Sequence, residues 1–372
     1  MPRGRWVLTC GLVVLATGCA KRWDGTPQIE VSPGAAQRAG LIGRAPAVPK
    51  RAPPAARAHA RAMVAADSLS GASARGAVGD WRLANDEVVF VLSRGALVDV
   101  ADAKARVDEL DRFTPVANLD GLTCDGGAGR DEEDGTAVVT FACSADGLRV
   151  ETSYALARAD RAMLVSSAVR AAGEREVTVP VLVDRFAWGA LRPFATGHVF
   201  PLTGDAKGPF VGGIGAASSV AYTSTEGRVD ATTTDGVTEL RVGAAGTVTS
   251  AQGLQIARVV AVGERPDSSS LVTELTRASG GDVGTVAVTF VNAAGSAVPV
   301  AKGAEVALAV GQGRAEIMRI VAVRDGDHVD GELPPGRYEA WLVGAPGAGA
   351  RASVEVRKGA TSRVAVTVPL AP

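Results

Sequence analysis

The chain has 372 residues, room for about two domains at the usual domain size. Hydrophobic residues make up 47% of it and the formal net charge is −1, so a buried core is within reach and no global field points to nucleic acid. Past the first twenty residues no stretch approaches about eighteen unbroken apolar positions, which argues against a membrane-spanning helix in the body of the chain.

The chain opens with Arg3 and Arg5, an apolar run from Trp6 to Leu15, and then Ala16-Thr17-Gly18-Cys19. A basic start, a short apolar core and small residues before a cut site are the pattern of a secretory signal. The apolar run is too short for a ~30 Å bilayer core, which needs roughly twenty residues. A cysteine directly after the small residues resembles a bacterial lipobox, and that resemblance implies cleavage after residue 18 and lipidation (palmitate among the acyl chains) at Cys19. Residues 19–66 then read as a tether rich in Pro, Ala and Arg. Over residues 20–62 eight basic side chains face two acidic ones. Two readings stand for it: an arm lying on anionic headgroups, or a solvated spacer. Arg57 to Ala66 has no proline and is expected as a short helix.

From Gly79 the texture changes to strands. Glu87 to Leu92 is a compact apolar run, and Thr136 to Cys143 and Leu148 to Leu156 alternate around the turn Ser144-Ala145-Asp146-Gly147. Ala162 to Val169, Val177 to Val183, Ser219 to Tyr222, Glu239 to Val242 and Leu254 to Val262 continue the pattern. Breaks of this spacing predict a large antiparallel β-sandwich over 79–265. A helix capped by Asp267 or a following serine and closed by Gly280-Gly281 is expected within 266–282, as a link between domains. Residues 283–372, with about seven short strands, predict a small self-contained immunoglobulin-like sandwich. The fold class is all-β. Cys124 and Cys143 are an even pair in an exported chain and are expected to form a disulfide, worth roughly 3 kcal/mol from loop closure.

Gly79-Asp80-Trp81-Arg82-Leu83, Asp184-Arg185-Phe186-Ala187-Trp188-Gly189 and Pro209-Phe210-Val211-Gly212-Gly213 resemble the β-rich N-terminal region of bacterial PHP-type metallohydrolases of the carbaryl-hydrolase kind. Gly284-Thr285-Val286 and Leu333-Pro334-Pro335-Gly336-Arg337-Tyr338 resemble a carboxypeptidase-regulatory-like, prealbumin-like module. In that family a hydrolase domain with a His/Asp metal set follows these modules. Nothing after the helix supplies such a set, so the resemblance implies a fold lineage and no catalytic residues.

Among candidate sites, His198 in a Gly/Pro-rich loop is the histidine with nearby acids, Asp184 and Asp205; His59 and His328 lie in the tether and a polar turn. Trp188, His198 and Asp184 form the ligand-binding candidate, with Trp188 as a ring on which a sugar stacks. The alternative for each is a structural residue. The acidic stretch Asp125 to Gly135 offers Asp125, Asp131 and Asp134 to a Ca²⁺ ion, but the regular ligand spacing is missing and Arg130 interrupts it. A solvated hairpin tip is the simpler account. No HxH, HExxH, GxSxG or Walker pattern occurs, so no cofactor, metal or catalytic residue is assigned.

The sequence therefore points to a cell-envelope lipoprotein with a non-catalytic binding or structural role. It is held to a membrane by its N-terminal lipid and is partnered by an envelope protein or glycan. Ala20, not Asp, follows Cys19, which favours the outer membrane. The alternative is an enzyme: the regulatory part of a split PHP-type metallohydrolase, or a carbohydrate-active β domain.

Overall fold

The computed structural model describes residues 57–198, 200–225, 227–310, 318–343 and 351–368. Cys19, the signal and most of the expected tether lie outside the described residues. The all-β class holds, with one α-helix, Ser268–Ala278, among the described residues.

Two nine-stranded antiparallel sheets form the larger unit. The front sheet runs in the order His59–Ala62, Trp81–Ala84, Val88–Ser93, Ala96–Asp102, Arg112–Thr114, Leu182–Ala187, Val237–Gly243, Val229–Thr234, Gly204–Gly208. The back sheet runs Arg192–Phe194, Val211–Ile214, Ser219–Ser224, Leu254–Val262, Ala162–Ala171, Leu148–Leu156, Ala137–Ala145, Thr123–Cys124, with Ala128–Asp131 also on Ala137–Ala145. The expected hairpin forms: Ala145 faces Leu148, and Gly147 turns the chain at φ 66°.

The apolar runs that break the two-residue alternation are strands buried on both faces. In Val259-Val260-Ala261-Val262, Val260 and Val262 enter the core between the sheets, while Val259 and Ala261 enter a second core behind the back sheet. Val138 and Val139, and Leu164 and Val165, divide in the same way. On the front sheet Phe90 and Leu92 point inward, and Val89 and Val91 outward under Met63 and Leu69. The molecule is thus layered: the covering segment, front sheet, back sheet, helix and C-terminal unit.

The tether does not run to residue 66, and Arg57 to Ala66 is not a helix: His59–Ala62 is an edge strand paired with Trp81–Ala84, followed by a 3-10 turn at Ala65–Asp67. Long-range bonds decide the matter, since the Ala60 N–H and the His59 Nδ1 both engage the Asp131 carboxylate at 2.8 Å. The helix between the units is itself buried. Ser268 to Leu275 are buried, and Leu271, Val272 and Leu275 belong to one apolar core shared with the back sheet and the C-terminal strands.

The C-terminal unit is a sandwich of two four-stranded sheets. One is ordered Ala297–Val298, Gly284–Val291, His328–Leu333, with Thr361–Thr367 running parallel to Gly284–Val291. The other is ordered Met318–Val321, Glu305–Val310, Gly336–Leu342, Ala352–Val356.

Cys124 and Cys143 face each other on neighbouring strands and are joined by a disulfide, as expected. Between the large sheets lies a fully buried ion pair, 0% exposed on both sides. Arg258 of the back sheet donates from Nε to Asp184 Oδ2 at 2.6 Å and from Nη2 to Oδ1 at 2.8 Å. Tyr222 O–H and the Val116 N–H also donate to that carboxylate, and Arg258 Nη1 donates to Ser167 Oγ. Burial alone would lower the Arg258 pKa, but the Asp184 carboxylate overrides it and the guanidinium is held above its ordinary value. Asp184→Ala strands that cation without water. It is expected to cost about 3–5 kcal/mol in a denaturant melt, whereas Arg185→Ala, in an exposed pair with Glu239, costs under about 1 kcal/mol.

Candidate functional site

Two of the three residues grouped as a ligand site, Asp184 and Trp188, are buried in the core of the larger unit, and the third, His198, lies on the surface. Trp188 is 1% exposed, stacks on Phe186 at 4.6 Å and donates Nε1–H to Thr238 Oγ1 at 2.7 Å. A Cβ on Gly213 would stand 2.6 Å from the Trp188 ring, so the Gly-rich strand Val211–Ile214 serves close packing. Neither face of the indole is open to a sugar. Asp184 is locked in the Arg258 pair. Only His198 is exposed, in a loop whose Phe200 points toward a cavity described below.

The acidic hairpin is likewise engaged by the protein itself. Asp125 Oδ1 accepts from the Gly127 and Ala142 N–H groups, Asp134 Oδ1 from the Thr136 N–H, and Asp131 holds His59 and Ala60. The three carboxylates do not converge. Among the described residues no group of three or more His, Cys, Asp or Glu side chains is placed to hold a metal ion. The hairpin clasps the first strand of the fold instead.

The concave surface lies where the larger unit, the helix and the C-terminal unit meet. Asp267 is its pivot. Its Oδ1 caps the helix by accepting from the Ser270 N–H at 2.8 Å, and its Oδ2 accepts from the Val321 N–H at 3.1 Å and faces Arg265 Nε at 3.1 Å. Ser268 Oγ accepts from the Arg319 N–H, and Thr273 O–H donates to the Glu332 carbonyl. Arg277, near the helix C-terminus, bridges Glu274 and Glu332. The sequence marked Asp267 as a cap. It held no sign of the second oxygen's bond to Val321, on a strand over fifty residues away.

Two hollows flank this joint. A cleft of about 540 Å³ is lined by charged groups, among them Glu264, Arg265, Glu274, Asp330 and Glu332. A smaller pocket of about 210 Å³ sets apolar walls, Phe194, Phe200, Ile214 and Val321, beside charged side chains, Arg192 among them. The Arg192 guanidinium lies 4.5 Å above the Phe200 ring.

No family model matches the chain, and no curated protein matches it. Solved structures overlap it only partly. An α-galactosidase from Lactobacillus brevis aligns over 57% of this chain and 44% of its own at 7% identity and a TM-score of 0.39. Slr1438 of Synechocystis sp. aligns over 50% and 96% at 9% identity and a TM-score of 0.36. A polysaccharide lyase aligns over 84% and 46% at 11% identity and a TM-score of 0.31. The chain spans less than half the length of the α-galactosidases it overlaps. Likeness at this level places no activity on it.

Beside the joint, the Asp160 carboxyl is buried with Oδ2 lacking a hydrogen-bond partner. Burial first, and the Glu274 carboxylate second, push it up to about 7. Asp108, buried in the larger unit, is also pushed up to about 7, chiefly by burial. Both titrate near 4 in the unfolded chain. The folded state therefore holds these protons more tightly, and the stability they contribute is present below about pH 4 and lost as pH rises through about 7. The midpoint of thermal unfolding is expected to fall between about pH 5 and about pH 8, and Asp160→Asn to flatten part of that fall. Melts of both proteins across this range check it.

Proposed function

We propose that this chain is an exported module of the bacterial cell envelope. In this reading it is anchored by lipid at Cys19, with the outer membrane favoured, and acts without catalysis by binding at the joint between its two β units. The observation that carries export is the disulfide between Cys124 and Cys143, a cross-link typical of oxidising compartments, in a chain that opens with a signal pattern. The chain from Cys19 leads into the fold at His59–Ala62, the edge of the front sheet, which the Asp131 clasp fastens down. Force or tethering through the anchor would thus act on a strand tied into the larger sandwich.

The binding role is supported by the shape and chemistry of the joint. Its backbone groups and carboxylates are largely engaged by one another, which fixes the walls, while the small pocket keeps an aromatic surface and one cation accessible. The partner class that fits an envelope address is a glycan or an envelope protein bearing a group small enough to enter.

Cells producing the wild-type chain and Cys19→Ser test the anchor. Wild type is expected in the membrane fraction, labelled by a fatty-acid probe. The variant is expected unlabelled and released to the soluble fraction. Identical labelling and partition of the two would contradict the anchor.

A further inference from the structure

The small pocket is built from three parts of the chain that the sequence keeps far apart. The larger unit contributes Arg192, Phe194 and Phe200, the helix start contributes Pro266 and Ser268, and the C-terminal unit contributes Val321. Phe194 meets Phe200 edge-on at 6.3 Å and Phe210 at 6.0 Å, so the aromatic wall is supported from behind. Phe210 is fully buried, while Phe200 keeps part of its surface open. The walls come from elements that share one apolar core, so the cavity exists before any ligand arrives.

Charge decides what such a cavity prefers. Four charged side chains line it: Arg192, Asp267, Glu305 and Arg319. Arg319 pairs with Glu305 at 2.5 Å. Asp267 is engaged by Arg265 and by the Ser270 and Val321 N–H groups. Arg192 faces no carboxylate among the described residues; its contact is the face of Phe200. Stacking on a ring leaves the N–H edge of a guanidinium free, and that edge matches a carboxylate in a two-bond fork. The volume, about 210 Å³, equals about seven water molecules at ~30 Å³ each, which limits the occupant to one ring or a short chain.

We infer that the pocket is a binding site for a small organic monoanion: an aromatic or short aliphatic body packed on Phe194 and Phe200, with its carboxylate on Arg192. This deepens the reading of the joint as a binding site and rests on it. It names the class of group that a free metabolite, or the end of a larger envelope molecule, would place there.

The test uses the mature full chain and three probes of nearly equal shape: phenylacetate, phenylacetamide and phenethylammonium. Binding is read by calorimetric titration and by saturation transfer from protein to ligand. Phenylacetate is expected to saturate one site per chain, the neutral amide to bind about threefold more weakly or worse, and the cation to bind least. Arg192 is exposed, so Arg192→Gln leaves the melting curve in place and is expected to erase the difference between phenylacetate and phenylacetamide. Phe200→Ser weakens all probes alike. Equal binding of acid and amide to the wild-type protein would overturn the anion assignment while leaving the pocket as a binding site. No saturable binding of any probe would overturn the pocket itself. Neither result bears on the anchor, which is read from membrane fractionation.

Discussion

Everything in the larger unit is arranged around a cation that never meets water. Arg258 projects from the middle of the back sheet into the space between sheets, and a guanidinium cannot shed its charge there. The fold answers with Asp184 from the front sheet, in a two-bond fork, and fills the remaining bonding positions with Tyr222, Ser167 and the Val116 N–H. Apolar contacts would hold two sheets together in many offsets. This pair selects one, because a slip along the strands would break a fork buried in low dielectric. The aromatic stack of Phe113, Phe186 and Trp188 packs in that same layer, with centroids 4.5 and 4.6 Å apart.

With the sheets fixed, the outer face of the back sheet becomes a floor for the helix. Leu271, Val272 and Leu275 close it from above, and the C-terminal sandwich packs the same core from the far side. Asp267 joins the two ends of this arrangement, one oxygen on the helix and one on a C-terminal strand. The joint is therefore a layer of the structure, and its hollows inherit the rigidity of the layers around them. That is why a pocket assembled from three distant segments has a definite shape.

Much of this was legible in the residues. The all-β class, the hairpin at Asp146-Gly147, the disulfide and the capped helix all follow from local signals: alternation, a turn glycine, an even cysteine pair, an N-cap before an apolar run. What escaped the sequence depended on partners distant along the chain. Arg57 to Ala66 reads as a possible helix because nothing local forbids it, and it becomes a strand because Asp131, some seventy residues away, holds His59 and Ala60. Asp184 and Trp188 read equally as a polar and aromatic site or as structural residues, and their partners Arg258 and Thr238 put them in the core. His198 is exposed, in the loop that carries Phe200 to the wall of the smaller hollow. The unbroken apolar runs did carry a readable hint of a second buried face, since a strand with one wet side alternates.

The helix and both β units share one core and are expected to behave as one body. Differential scanning calorimetry of the mature full chain measures this most directly. A single cooperative transition is expected, with calorimetric and van't Hoff enthalpies in agreement. Two separate transitions, with the C-terminal sandwich melting independently of the larger unit, would contradict it.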